Sequence, residues 1–125
     1  DEEIERIGMN TVMEYEKNNG RTPEDVSSQN LGYDIRSLDK KGNYRYIEVK
    51  ARAKEGVIAL TPNEWFMAQR LKEEYWLYVV ANTAATPELY TIQHPAGYLT
   101  PKEETGILRY IVKDWKEKLT KEKQL

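Results

Sequence analysis

The stretch that decides the fold is Tyr44-Arg45-Tyr46-Ile47-Glu48-Val49-Lys50-Ala51-Arg52. Side chains along a β-strand alternate between its two faces. As a strand, this stretch turns an apolar set to one face and a polar set to the other, namely Ile47, Val49 and Ala51 against Tyr44, Tyr46, Glu48, Lys50 and Arg52. An ordinary half-exposed strand has the same alternation, which therefore predicts a strand and no chemistry by itself.

A second acid precedes this strand in Gly32-Tyr33-Asp34-Ile35, within a plausible strand over residues 31–38. The polar, glycine-containing turn at residues 39–43 favours an antiparallel hairpin between the two strands. We therefore expect Asp34 to lie beside the Glu48–Lys50 face.

Composition restricts the classes of function. The chain has 125 residues, 39% hydrophobic and 32% charged, which predicts one globular domain, and its net charge of −2 argues against a generic nucleic-acid coat. Without cysteine, disulfides, zinc-thiolate sites and thiol nucleophiles are excluded. His94 is the single histidine, so histidine-rich metal sites are excluded, and a Ser-His-Asp triad would need His94.

The start of the chain and its apolar runs bear on the localisation of the protein and on whether the chain is part of a longer one. No apolar run approaches the roughly 20 residues that cross a bilayer, and no signal peptide opens the chain, so we expect a cytoplasmic protein. The chain begins at Asp1 without a methionine, which indicates a domain of something longer.

The patterns along the chain predict an α/β (α+β) fold. Helical spacing covers residues 2–18, residues 21–30 suggest a loop, and strands follow at 31–38, 44–52 and 57–60. Thr61-Pro62-Asn63-Glu64 is a capping box that begins a helix to about residue 74, before strands at 75–80 and 89–92. We expect a helix, a three-strand meander, a helix and a strand in one mixed sheet, with a core at 1–98 and a C-terminal extension at 99–125.

Two alternatives stay open for the last quarter. Residues 107–112 form an edge strand followed by a short helix capped at Asp114, or residues 105–120 form one helix. The Lys/Glu-rich end is expected to fray.

The paired acids predict a divalent-metal site. Mg²⁺ or Mn²⁺ prefers carboxylate and carbonyl oxygens, which Asp34, Glu48 and the backbone carbonyl of Val49 would supply. Lys50 would hold an attacking water or stabilise developing negative charge. Glu16 or Glu14 on the first helix would complete the site, and the helical wheel does not choose between them.

A surface Glu/Lys pair on a solvated strand is the competing interpretation. Acid-x-Lys occurs three times in this chain, and we interpret Asp39-Lys40-Lys41 as a turn and Asp114-Trp115-Lys116 as a cap. Glu64 is interpreted first as a helix cap, with a functional role as the second alternative. Candidate DNA contacts are the basic or aromatic residues near the acids and just after the first helix: Lys50, Arg52, Lys54, Tyr33, Tyr46 and Arg21.

Several runs together resemble the NO VEIN C-terminal-like domain, a PD-(D/E)XK-like family found at the ends of helicases and other large nucleic-acid proteins. The runs are Gly20-Arg21, Asp25-Val26-Ser27, Gly32-Tyr33-Asp34-Ile35-Arg36-Ser37, Arg45-Tyr46-Ile47-Glu48-Val49-Lys50-Ala51-Arg52, Leu60-Thr61-Pro62-Asn63-Glu64-Trp65, Tyr75-Trp76-Leu77-Tyr78-Val79-Val80 and Pro95-Ala96. The resemblance implies a restriction-endonuclease-like core with Asp34, Glu48 and Lys50 in the motif positions.

The resemblance also implies a setting in DNA metabolism or defence, beside an ATP-driven helicase. Many relatives carry glutamate where Val12 stands here, and Glu16, one turn on, would substitute for it. Catalytic competence therefore stays open. We expect a Mg²⁺-dependent (or Mn²⁺-dependent) DNA endonuclease or nuclease-like domain of a larger helicase or DNA-defence protein.

Two other functions compete with cleavage. One is a catalytically inactive DNA-binding module that uses its basic residues, including Lys40 and Lys41. The other is a protein-interaction or structural module with the same fold, which the net acidity favours.

Overall fold

A long helix, α1 (Glu2–Asn18), opens the structure, which is a computed structural model describing residues 1–103 and 109–120. Asp1 caps the helix, since its carboxylate accepts a hydrogen bond from the Glu3 N–H. The helix lies directly on the sheet at Gly8, where a Cβ atom would stand 2.6 Å from the Cβ of Ala51. Only glycine permits that close approach.

Four strands follow before the second helix, and the later elements are of both kinds. The strands and helices are β1 (Thr22–Asp25), β2 (Ile35–Leu38), β3 (Tyr44–Ala51), β4 (Ile58–Leu60), α2 (Pro62–Leu71), β5 (Tyr75–Ala81), β6 (Glu88–Gln93), α3 (Pro95–Tyr98), β7 (Lys102–Glu103) and β8 (Tyr110–Val112). Short 3-10 turns lie at Ser27–Gln29, Lys72–Glu74 and Trp115–Lys118.

The main sheet has five strands in the order β1-β2-β3-β5-β6. Its neighbours are antiparallel except β3 and β5, which are parallel because the chain crosses over between them through α2. The predicted mixed α+β class is confirmed.

The identity of the meander strands was predicted wrongly. Residues 21–30, expected as a loop, contain β1, whose Thr22 pairs with Leu38. This strand is short, mostly exposed and carries Pro23, all of which suit an edge strand. Because its residues do not alternate between apolar and polar, the sequence pattern does not reveal it as a strand. The strand at 57–60 instead joins a second sheet, in the order β4-β8-β7. β3 is thus the last strand of the meander and the central strand of the sheet.

The helix start and the buried strand were predicted correctly. Thr61 and Glu64 form the reciprocal capping box at α2, with Pro62 in the first turn. Every residue of β5 is buried, as expected of a strand inside the sheet.

The first of the two C-terminal alternatives is confirmed within the described residues. β8 and the 3-10 turn at Trp115–Lys118 replace the single long helix. β8 lies between β4 and β7 rather than at an edge, and Asp114 occupies the cap position without a capping side-chain hydrogen bond. The predicted start at Ile107 and the Lys/Glu-rich end at 121–125 lie outside the described residues.

Two hydrophobic clusters cover the faces of the main sheet. The α1 face buries Val12, Ile47 and Tyr78. On the opposite face, Leu77 and Val79 pack against residues of the second sheet and Trp115. Within the described ranges, no helix has the length and apolar character needed to cross a membrane.

Candidate active site

The site lies where β3 continues past the start of β2. The register of the two strands begins with Ile35 opposite Ile47, and Asp34 stands immediately before it. The Asp34 N–H donates to the carbonyl of Ile47 at 2.8 Å, and its Oδ2 accepts from the Val49 N–H at 2.9 Å. The carboxylate of Asp34 thus occupies the edge of β3 that β2 leaves open.

Glu48 is the buried partner of Asp34. Glu48 is 3% exposed, and its carboxyl group shares a hydrogen bond with the carboxyl group of Asp34. Burial raises the pKa of Glu48 well above its usual value, Lys50 opposes this rise, and Asp34 and Glu64 reinforce it. Burial also raises the pKa of Asp34, although the hydrogen bond from Val49 opposes the change. Glu48 is therefore the member of the pair that holds a proton more strongly.

Lys50 follows Glu48 on the same face of β3. Its Nζ lies 3.4 Å from Glu48 Oε2 and 2.9 Å from Glu64 Oε1, at the start of α2. Burial acts to lower the pKa of Lys50, but the charges of Glu48 and Glu64 outweigh burial and raise it. The ammonium group is therefore cationic beside the two acids.

These groups line an open cleft of about 490 Å³. Asp34, Glu48 and Lys50 form its strand side, α1 contributes Glu5, and α2 contributes Glu64. The cleft is thus bounded by the first helix on one side and by the second helix on the other. Its polar groups are reachable from solvent although Glu48 itself is buried.

The donor set fits a hard divalent ion held by few protein ligands. Among residues 1–103 and 109–120, no group of three or more His, Cys, Asp or Glu side chains has the arrangement of a metal cluster. Asp34 and Glu48 instead form a pair of carboxylates. The carbonyl and N–H of one strand residue point to the same edge, so the carbonyl of Val49 faces the Asp34 side. Mg²⁺ is bound through one or two carboxylates and keeps several waters, which suits such a pair.

A second hollow adjoins the cleft. Arg52 and Lys54 line it, its volume is about 570 Å³, and it shares Glu5 and Ala51 with the cleft. Two of the predicted DNA contacts therefore lie next to the acids, in a surface that continues from them.

The structure does not bring Glu16 into the cleft. Glu16 is fully buried, its carboxylate accepts two hydrogen bonds from Arg21 at 2.6 and 2.9 Å, and Tyr78 Oη donates to it at 2.7 Å. Arg21 is thus held by Glu16 rather than turned to the cleft, and Glu14 is exposed on α1. The prediction that Glu16 stands beside Asp34 and Glu48 is wrong, because this part of α1 serves an internal network.

Other candidates for DNA contact lie apart from the acids. Tyr33 packs edge-to-face on Tyr46, with ring centroids 5.1 Å apart, and does not line the cleft. Lys40 and Lys41 lie in the turn before β3, which is roughly 20 Å along the strand from Lys50. The basic and aromatic candidates therefore do not form one patch.

Glu5 is an acid of the cleft that the sequence interpretation did not include. It is exposed on α1, and it lines the cleft. The helical spacing could have indicated this position. Glu5 precedes Val12 by seven residues, which is two helical turns, so both residues lie on the same face of α1. An acid on the same face of α1 as Val12 therefore lines the cleft, nearer the start of the helix.

Comparison with known proteins identifies a family. Residues 4–92 match the family described as Protein NO VEIN, C-terminal, and the matched range covers most of α1, both of the acids, strands β1 to β5 and most of β6. No curated protein and no solved structure matches the chain. Because the match covers well over half of the sequence, this chain belongs to the NO VEIN C-terminal family.

Proposed function

We propose that this chain is a Mg²⁺-dependent or Mn²⁺-dependent DNA endonuclease domain of the PD-(D/E)XK type. The observation that carries the proposal is the contact between Asp34 and Glu48, with Lys50 Nζ 3.4 Å from Glu48 on the same face of one strand. A solvated Glu/Lys pair does not account for a glutamate that is 3% exposed beside a second acid.

Asp34, Glu48 and the carbonyl of Val49 would hold the ion. When bound, the ion activates a water and relieves negative charge on the phosphate. The residues of this chain set its place, since Asp34 is fixed through the Val49 N–H and Glu48 is fixed by burial between strands.

Lys50 supplies a positive charge at the floor of the cleft. Its Nζ has three donors, of which Glu48 and Glu64 occupy two directions. The remaining direction can orient a water or contact a phosphate oxygen. Charge placed in advance where negative charge develops is what lowers the barrier of phosphoryl transfer.

The DNA backbone would run from the cleft into the adjoining hollow. Arg52 and Lys54 are exposed there and can contact the phosphates that flank the bond to be cut. Tyr33 and Arg21 are engaged elsewhere, so the proposed path uses Lys50, Arg52 and Lys54.

We propose further that the domain acts within a larger protein, beside a helicase or another DNA-processing enzyme. The order of α1, meander, α2 and the strand parallel to β3 supports a restriction-endonuclease-like core. A domain with one small basic surface gains DNA affinity when a neighbouring module already holds the DNA.

The test is nicking of supercoiled plasmid and of linear single-stranded and double-stranded DNA. We expect the protein to nick with Mg²⁺ or Mn²⁺, and EDTA to stop the reaction. Absence of cleavage on every DNA form, with divalent metal and the full-length parent protein present, would contradict the enzymatic proposal.

The alternative is a DNA-binding module without chemistry. The observation that favours it is the placement of Arg52 and Lys54 in a hollow beside the acids rather than among them. Such a module predicts salt-sensitive DNA binding that needs no metal and is unchanged in Asp34→Ala. A protein-interaction module predicts no DNA binding even at low salt.

A further inference from the structure

One oxygen atom of Glu64 serves two purposes. Glu64 Oε1 accepts from the Thr61 N–H at 2.9 Å, and Glu64 N–H donates to Thr61 Oγ1 at 3.2 Å, which closes the capping box of α2. The same Oε1 accepts from Lys50 Nζ at 2.9 Å. The side chain of Glu64 is 16% exposed, so this second contact is partly shielded from solvent.

The cap needs an acceptor and does not need a charge. Glutamine closes a capping box as glutamate does, because either side chain offers a carbonyl-type oxygen to the backbone N–H of the cap residue. The negative charge of Glu64 is therefore in excess of what α2 requires. The group that faces this charge is the Lys50 ammonium, in a charge-assisted hydrogen bond.

Lysine needs such a partner to stay in one place. Its charge sits on a flexible four-carbon stem with no preferred fork geometry. In this structure the shorter of its two carboxylate contacts is the one to Glu64, and the contact to Glu48 is longer at 3.4 Å. The ammonium is thus held between two separate elements, β3 and α2.

The start of α2 is itself fixed against the Asp34 loop. Gly32 has a φ of +87°, and a Cβ there would stand 2.5 Å from Met67 Cγ and 3.0 Å from the Asn63 carbonyl oxygen. Glycine lets the loop lie directly on the first turns of α2. Tyr75 Oη donates to the Gly32 carbonyl at 2.7 Å, so the loop is also tied to the start of β5. Asp34 and Lys50 are therefore both located by the same end of α2.

We propose that Glu64 is a positioning residue of the active site, which holds the Lys50 ammonium beside Glu48 and ties it to the first turn of α2. The inference rests on the proposed nuclease function. It assigns the capping box a role in the geometry of the cleft in addition to its role in the helix.

Two matched variants separate the two roles of Glu64. Glu64→Gln keeps an oxygen for the cap and removes the charge that faces Lys50. Thr61→Ala removes the hydroxyl of the cap and keeps Glu64 and its bond to Lys50. The measurements are the melting temperature, the Kd for DNA, the single-turnover cleavage rate with saturating Mg²⁺, and the ¹⁵N signal of the Lys50 ammonium.

We expect Glu64→Gln to melt near the wild-type temperature and to bind DNA normally, but to cleave roughly 10- to 100-fold more slowly, as when a residue that orients a functional group is lost. Its Lys50 ammonium signal, which slow exchange makes visible in a held ion pair, should broaden or vanish. Thr61→Ala should melt lower and, below its melting temperature, keep both the wild-type rate and the signal.

The outcomes distinguish this inference from the proposed function. A wild-type protein that cleaves, with Glu64→Gln equally fast and its ammonium signal unchanged, overturns the positioning role and leaves the nuclease intact. A wild-type protein that cleaves no DNA overturns the nuclease function. In that case the ammonium signal still tests whether Glu64 holds Lys50, and a signal unaffected by Glu64→Gln rejects that contact.

Discussion

Replacing Lys50 by alanine is expected to lower the rate of metal-dependent DNA cleavage by at least about 100-fold. Lys50 is the cation on the polar face of β3, and its Nζ lies 3.4 Å from Glu48 in the floor of the cleft. Alanine removes the positive charge that would face the developing charge on the phosphate. At Lys50 the backbone of β3 pairs with Val79 of β5, and β2 pairs with residues 44–47 of the same strand, so the fold should persist.

The matched control for this variant is Lys41→Ala. Lys41 also follows an acid by two residues, but it is exposed in the turn before β3. We expect the control to cleave at the wild-type rate, with circular dichroism and melting temperature confirming that both variants are folded. If the wild-type protein and a folded Lys50→Ala variant cleave DNA at equal rates, Lys50 has no role in the cleavage reaction.

Replacing Glu48 by glutamine is expected to stabilise the metal-free protein at pH 7–8 by about 1–2 kcal/mol, although it removes the proposed function. Glu48 is 3% exposed and stands beside Asp34, so its ionised form is costly in the folded state. Glutamine is similar in shape, can donate to Asp34 without ionising, and can still accept from Lys50. The measurement is the free energy of unfolding in urea, with EDTA present.

The contribution of Glu48 to the stability of the folded protein depends on pH. Burial raises the pKa of Glu48 well above 4.5 in the folded protein, so the folded state binds this proton more tightly than the unfolded state does. The contribution of Glu48 to stability is therefore complete below pH 4.5 and is lost as the pH rises through the folded pKa. The variant should lose less stability than the wild type over that range.

An exposed glutamate provides the control for Glu48→Gln. Hydrogen bonds from Tyr90 and Asn82 lower the pKa of Glu88, the opposite direction, so Glu88→Gln should not stabilise the protein as the pH rises. A Glu48→Gln protein that is less stable than the wild type at pH 8 would show that the ionised pair with Lys50 outweighs the cost of burial.

Local sequence patterns predicted the parts of the fold whose cause is local. The alternation of β3, the capping box at Thr61 and the apolar run of β5 each reflect contacts within a few residues, and each is present in the structure. The polar edge strand β1 lacks such a pattern, since its four residues Thr-Pro-Glu-Asp bury little. It is a strand because Ile35–Leu38 offers an open edge to pair with, which is a tertiary cause.

The candidate site divides in the same way. Asp34, Glu48 and Lys50 are brought together by one hairpin, so the spacing along two neighbouring strands was sufficient to predict their proximity. The acid of α1 depends on how the helix lies across the sheet. Gly8 lets the helix lie directly on Ala51, and in this arrangement Glu5 lines the cleft while Glu16 belongs to the internal network with Tyr78.

The most direct test of the central claim is a titration of the metal-free protein with Mn²⁺, followed by paramagnetic broadening of the backbone amide signals. We expect broadening to begin at Asp34, Glu48 and Val49, and the affinity for Mn²⁺ to rise with pH as the proton on Glu48 is displaced. The Glu48→Gln variant should show no broadening at these residues. Broadening that begins elsewhere, or that persists unchanged in Glu48→Gln, would contradict the assignment of these residues as a metal site.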